Sequence, residues 1–144
     1  MGEPALKIVK GKLNLIDSET GELMAFREPI GSNFIEFRRV GSNCNIIRED
    51  EKGYPKDDEG CKPTIYCLDD ELQIKWVIKM PFENDGFPNP ISWNTELVVI
   101  QNAQGYSELD WINNPTVFTC SSWHGFTITV DYETGKTISE QFTK

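Results

Sequence analysis

The chain contains no run approaching the ~20 consecutive apolar residues of a membrane-spanning helix. Its start, Met1 to Lys12, also lacks the apolar stretch of a secretory signal. The expectation is a cytoplasmic protein with no membrane partner. Gly2 does not open a myristoylation motif, because position 6 is Leu where Ser or Thr is required. Basic residues are the scarcer charge: 14 Lys and Arg stand against 23 Asp and Glu, for a net charge of −9. The average field therefore repels phosphate polyanions and attracts basic proteins, which argues against nucleic acid as a partner. Cys44, Cys61, Cys67 and Cys120 lie 17, 6 and 53 residues apart, without a C-x-x-C pair or metal-finger spacing. They read as buried free thiols. In an oxidising compartment, Cys61 with Cys67 or Cys44 would be the first pair to examine. No acidic stretch carries the alternating oxygen ligands and terminal Glu of an EF-hand loop.

What is present is alternation. A length of 144 residues suits a single domain, and apolar and polar residues alternate with the period of strands along most of it. The first unit runs from strand Lys12 to Ile16 through Asp17-Ser-Glu-Thr-Gly21 into strand Glu22 to Phe26. Asp opens such a turn by accepting backbone N–H bonds, and Gly closes it at positive φ. The last unit repeats this order: strand Gly125 to Val130, turn Asp131-Tyr-Glu-Thr-Gly135, strand Lys136 to Glu140. A glycine-free version lies between them, Thr64 to Leu68, Asp69-Asp70-Glu71, then Leu72 to Ile78. In that strand Leu72, Ile74, Trp76 and Ile78 should share one face. The three turns begin 52 and 62 residues apart, an interval that suits one four-stranded sheet per repeat.

The expected fold is all-β, a single domain over 1–144. It comprises an N-terminal hairpin (1–30) and two four-stranded antiparallel, propeller-like sheets (31–81 and 91–144), packed as a β-sandwich or incomplete propeller. Phe34 to Val40 and Cys44 to Arg48 supply the remaining strands of the first full sheet, and Thr95 to Ile100 and Thr116 to Trp123 those of the second. Three polar segments interrupt the pattern. Glu49 to Glu59 carries six acids against two lysines, Phe82 to Pro90 is rich in proline, and Asn102 to Pro115 ends in an Asn-Asn-Pro turn signal.

The strand-Asp-x-x-Thr-Gly-strand hairpins, with Trp76 in the outer strand after Ile65-Tyr-Cys-Leu-Asp69, resemble the blades of quinoprotein-like (PQQ-repeat) β-propellers. The resemblance spans most of the chain and implies blade-like sheets. In those enzymes the cofactor sits in a large closed ring with ligands from many blades. Material for two to three blades does not close such a ring, so no cofactor is expected.

His124, the single histidine, continues a strand face with Phe118, Cys120 and Ser122. Same-face neighbours stand about 7 Å apart at the backbone, and no acid is evident to orient the imidazole, so this face reads as structural and no catalytic residue is assigned. Nothing in the spacing of the acids selects a glycosidase pair. The aromatic residues Tyr54, Phe82, Phe87, Trp93, Tyr106 and Trp111 fall in or beside acidic and turn-forming loops, as interface anchors do and as small cores beneath loops also do.

The reading is a non-enzymatic acidic binding module. In size, charge and lack of catalytic residues it looks like the immunity proteins of bacterial toxin systems, which neutralise a cognate basic toxin, frequently a nuclease. Under that likeness Asp57, Asp58, Glu59, Glu108 and Asp110 pair with Lys or Arg of the toxin, and Tyr106 and Trp111 supply anchors. A monomer is favoured over a dimer. The alternatives are a quinoprotein-like ligand- or cofactor-binding fragment and a structural propeller module that assembles with copies of itself.

Overall fold

The computed structural model describes residues 3–40, 42–93, 96–101, 107–112 and 116–142, with 96–101 and 107–112 as backbone alone. The described residues are all-β, without a helix. Strands β1 (Pro4–Val9), β2 (Lys12–Asp17) and β3 (Leu23–Arg27) form an antiparallel sheet in chain order. A second sheet joins β4 (Phe34–Arg39), β5 (Asn45–Glu49), β6 (Ile65–Leu68) and β7 (Ile74–Val77), again in chain order. β8 (Glu96–Gln101) pairs with β9 (Ser107–Ile112) as a separate hairpin, and β10 (Val117–Ser121), β11 (Phe126–Asp131) and β12 (Thr137–Phe142) make the last sheet. No closed barrel forms among the described strands.

The middle sheet is covered on both faces. Every residue of β5 and β6 is buried, which is the signature of strands with protein above and below. On one face Ile47, Tyr66 and Leu68 meet Leu13 and Leu15 of the first sheet, together with Tyr54 and Leu72. On the other, Ile46, Ile65, Cys67, Trp76 and Ile78 meet Phe118, Cys120, Ile128 and Val130 of the last. The alternation of β5 and β6 thus divides their side chains between two cores. Trp76 stacks on Phe118 at 6.0 Å between ring centroids and is nearly parallel to it.

Each of the three sheets enters its outer strand through an Asp-initiated turn. Asp17 Oδ1 accepts from the backbone N–H of Glu19 and Thr20, Thr20 Oγ1 accepts from that of Glu22, and Gly21 N–H donates to the Asp17 carbonyl. The Asp131 turn repeats this set bond for bond, through Glu133, Thr134, Lys136 and Gly135. Gly135 combines a φ of +74° with contact against the Trp76 ring, where an added Cβ would come within 2.4 Å of the indole. The last turn is thereby pressed onto the middle sheet.

Four sequence expectations change. The N-terminal hairpin is a three-stranded sheet, because Pro4 to Val9 also pairs with β2. The Thr95 to Ile100 strand does not join the last sheet, since β8 pairs locally with β9, and closing a short loop costs less entropy than recruiting a distant strand. The position beside β10 is taken by Ser92, which exchanges two backbone hydrogen bonds with Thr119. The Asn102 to Pro115 loop accordingly contains a strand over Ser107–Ile112. Finally, Leu72 leaves the face of Trp76 and Ile78. It adopts a φ of +59° in the glycine-free turn and is buried in the opposite core, while Ile74 is exposed.

Candidate functional site

Three loops meet at one end of the stack: the 50–62 insertion, the 82–87 loop, and the Ser122–Gly125 turn between β10 and β11. Backbone bonds knit them together. Asn84 N–H donates to Glu59 O, Lys62 N–H to Asp85 O, and Trp123 N–H to Gly86 O. Asp85 lies at the junction, 3% exposed. Its Oδ1 accepts from Gly86 N–H at 2.9 Å and His124 N–H at 3.2 Å, whereas Oδ2 is buried without a protein partner. Cys61 sits beneath, its thiol donating to Phe82 O at 3.1 Å and its sulfur accepting from Asp85 N–H at 3.5 Å.

This scaffold presents two exposed aromatic rings. Trp123 is 59% exposed, and its indole N–H is held by both carboxylate oxygens of Glu51, at 3.0 and 2.8 Å. The approach depends on Gly86, where an added Cβ would lie 2.1 Å from Glu51 Oε1 and 3.3 Å from the Trp123 ring. Phe82 is 48% exposed, 5.0 Å from the His124 ring and 5.9 Å from Phe126. Asp58, Glu59 and Glu83 are exposed on the same loops. The arrangement places two exposed aromatic rings beside exposed carboxylates.

The acids of the insertion have separate roles. Glu49 is fully buried, accepting from Ile30 and Gly31 N–H and from the Tyr66 hydroxyl. Asp50 Oδ1 accepts from Lys52 N–H. Asp57 Oδ1 accepts from Glu59 and Cys61 N–H, closing a turn with the same bonds as the Asp69 turn. Of the six acids, Asp58 and Glu59 carry exposed carboxylates not engaged in these bonds.

Of the residues expected to bind a partner, Asp57, Asp58 and Glu59 therefore lie on this surface, with one Asp57 oxygen committed to the fold. Glu108, Asp110 and Trp111 belong to strand β9, and Tyr106 lies outside the described residues. Tyr54 and Phe87 are core: Tyr54 donates its hydroxyl to Pro63 O, and burial pushes its phenol up to about 12. Burial and the Glu49 bond likewise push Tyr66 upward. Trp93 packs against Phe118, with the Arg38 guanidinium over its ring.

The Phe118, Cys120, Ser122, His124 row does not extend to the imidazole. Ser122 starts a turn closed by Gly125 N–H, which carries His124 off the strand to where Nε2–H donates to Asn84 O. Burial pushes the Cys120 thiol up to about 12, which disfavours the thiolate a nucleophile needs. Sequence reasoning missed Trp123 by placing it within a strand. The available signal was the Ser122-Trp-His-Gly125 tetrapeptide, a turn pattern with Gly in its closing position.

No family model and no curated protein matches the chain. Among solved structures, it is similar to the crystal structure of the computationally designed Ika8 protein, at 11% identity and a TM-score of 0.43. That likeness covers 100% of this chain and 48% of the other, so the chain spans about half the length of the designed protein.

Proposed function

We propose that the chain is a non-enzymatic protein-binding module with a basic protein partner, of the immunity type that neutralises a cognate bacterial toxin by covering its active surface. The observation that carries this reading is the exposed Trp123 ring with Glu51 bound at its edge. An arginine of the partner can stack on the indole face and meet the carboxylate beside it, a site for which lysine is a poorer match. Phe82 adds apolar area that can be desolvated, and Asp58, Glu59 and Glu83 with the net charge of −9 favour the approach of a cation. On the same reading the three stacked sheets are successive blades of an incomplete propeller.

The test is inhibition. Purified protein is mixed with the basic toxin domain encoded beside its gene, and loss of toxin activity at equimolar ratio is expected. Full toxin activity at molar excess would sink the proposal. Self-assembly has an observation of its own in its favour: outer strands β3 and β12 expose Leu23, Met24, Phe26, Ile138 and Phe142. Sedimentation across a range of concentrations decides that reading, because a monomer throughout removes it.

A further inference from the structure

Cys44, the residue that leads into β5, and Cys67 of the neighbouring strand β6 lie 3.2 Å apart between sulfurs. Both are free and buried. Cys44 is also 3.2 Å from the carbonyl oxygen of Tyr132, at the start of the turn that carries the last sheet into β12. A carbonyl can only accept, so Cys44 donates to it; Cys67, whose thiol also lies 3.8 Å from Leu68 O, donates to Cys44 over the shorter distance. The same carbonyl accepts the Trp76 indole N–H at 3.0 Å. Two donors of the middle sheet thus converge on one acceptor of the last.

We propose that Cys44 and Cys67 form a peroxide-oxidisable dithiol whose disulfide withdraws one of these two hydrogen bonds from the junction between the middle and last sheets. A disulfide needs its sulfurs about 2.05 Å apart, a closure of roughly 1.2 Å from the separation in the reduced protein. Neither of the remaining cysteines is placed to compete. Cys61 is engaged in the loop junction with Phe82 and Asp85, and Cys120 belongs to β10 in the last sheet.

The two thiols are differentiated. The hydrogen bond from Cys67 favours the Cys44 thiolate against the cost of burial; Lys75 and Arg39 assist, and Glu133 opposes. The same bond, with burial, holds the Cys67 proton in place. Cys44, which accepts the Cys67 S–H, is assigned as the attacking sulfur, and its own proton leaves the Tyr132 carbonyl as it ionises. The Cys44 thiolate attacks an oxygen of hydrogen peroxide. An S–O bond forms, the O–O bond breaks, and the departing hydroxide takes up the proton that Cys44 released. The Cys67 sulfur then attacks the Cys44 sulfur. The S–S bond forms, the S–O bond breaks, and hydroxide leaves as water with the Cys67 proton. Two thiols lose two electrons and two protons, and one peroxide becomes two waters.

The experiment treats the native full chain with a few equivalents of hydrogen peroxide, then denatures, alkylates and maps it. The expected result is loss of two alkylatable thiols, a peptide linked through Cys44 and Cys67, and recovery of both thiols with dithiothreitol. In Cys67→Ser, dimedone should instead trap a sulfenic acid at Cys44. The indole N–H of Trp76 should exchange faster in the oxidised protein and slow again on reduction. Four alkylatable thiols after treatment, a disulfide through Cys61 or Cys120, or dimedone labelling elsewhere would overturn the assignment. Unchanged Trp76 exchange would overturn its effect on the junction. Should Cys67→Ser fail to fold, the linked peptide from the wild-type chain decides alone.

Discussion

Glu49 offers the sharpest test of how this fold is held. Its carboxylate is fully buried and accepts three donors: Ile30 N–H at 2.9 Å, Gly31 N–H at 2.8 Å and the Tyr66 hydroxyl. Replacing it by Gln keeps the shape but turns one oxygen into an N–H₂ donor. If the amide oxygen faces Gly31, the new N–H₂ faces Ile30; if the amide is turned over, it faces Gly31. Either way a buried backbone N–H meets another donor. Leaving such a group unsatisfied costs about 1–3 kcal/mol, and a hydrogen bond to a charged acceptor contributes about 1.5–3 kcal/mol. Relief of the buried charge returns part of this, so Glu49→Gln should destabilise by roughly 3 kcal/mol. With a urea m-value of about 1–3 kcal/mol/M, the unfolding midpoint should fall by roughly 1–3 M. Hydrogen exchange at Ile30 and Gly31 should accelerate, because these amides tie the segment between β3 and β4 to the end of β5. A midpoint within error of wild type, with both amides still protected, would refute the reasoning.

Trp123→Ala should weaken binding of the basic partner by about 2 kcal/mol, roughly 30-fold in Kd, as truncation of an interface anchor does. Its folding stability should change little, since the ring is 59% exposed; calorimetric titration beside a thermal melt separates the two, and an unchanged Kd would remove Trp123 from the interface. The Arg39 guanidinium, helped by Asn45, holds the Asp70 carboxyl below its ordinary value of 3.8. A depressed carboxyl stabilises the fold above its unfolded pKa, and that contribution is lost as pH falls through the lower folded value. Asp70→Asn should therefore flatten the decline of stability below about pH 4, and an acid limb identical to wild type would contradict this. At Asp85 the amide of Asn can keep its oxygen on Gly86 and His124 while removing charge from the partnerless Oδ2. Asp85→Asn should be neutral or stabilising by about 1 kcal/mol, and Asp85→Ala destabilising by about 2 kcal/mol; the reverse order in urea melts would disprove the account.

What was legible in the chain was whatever its neighbours in sequence decide. The Asp17 and Asp131 turns share hydrogen bonds because Asp, Thr and Gly at fixed spacing specify them locally. The Asp69 turn was found from its acids, but not its effect on Leu72. Without Gly the positive φ falls on a leucine, and the register shift between Cys67 and Leu68 sends that side chain to the other core. Strand partners were less legible, because β8 could pair with β9 or β10 and only loop closure separates the choices. Charge was the least legible of all. Glu49, Glu51, Asp57 and Asp58 are one acidic run in sequence, yet one is core, one grips an indole, one closes a turn and one faces water. The count of acids therefore overstated how many can meet a partner, while the Glu51 contact with Trp123 moves the argument for a basic partner from net charge to a defined ring and carboxylate. If binding survives high salt but not Trp123→Ala, that local site carries the affinity; if the order is reversed, the diffuse charge does.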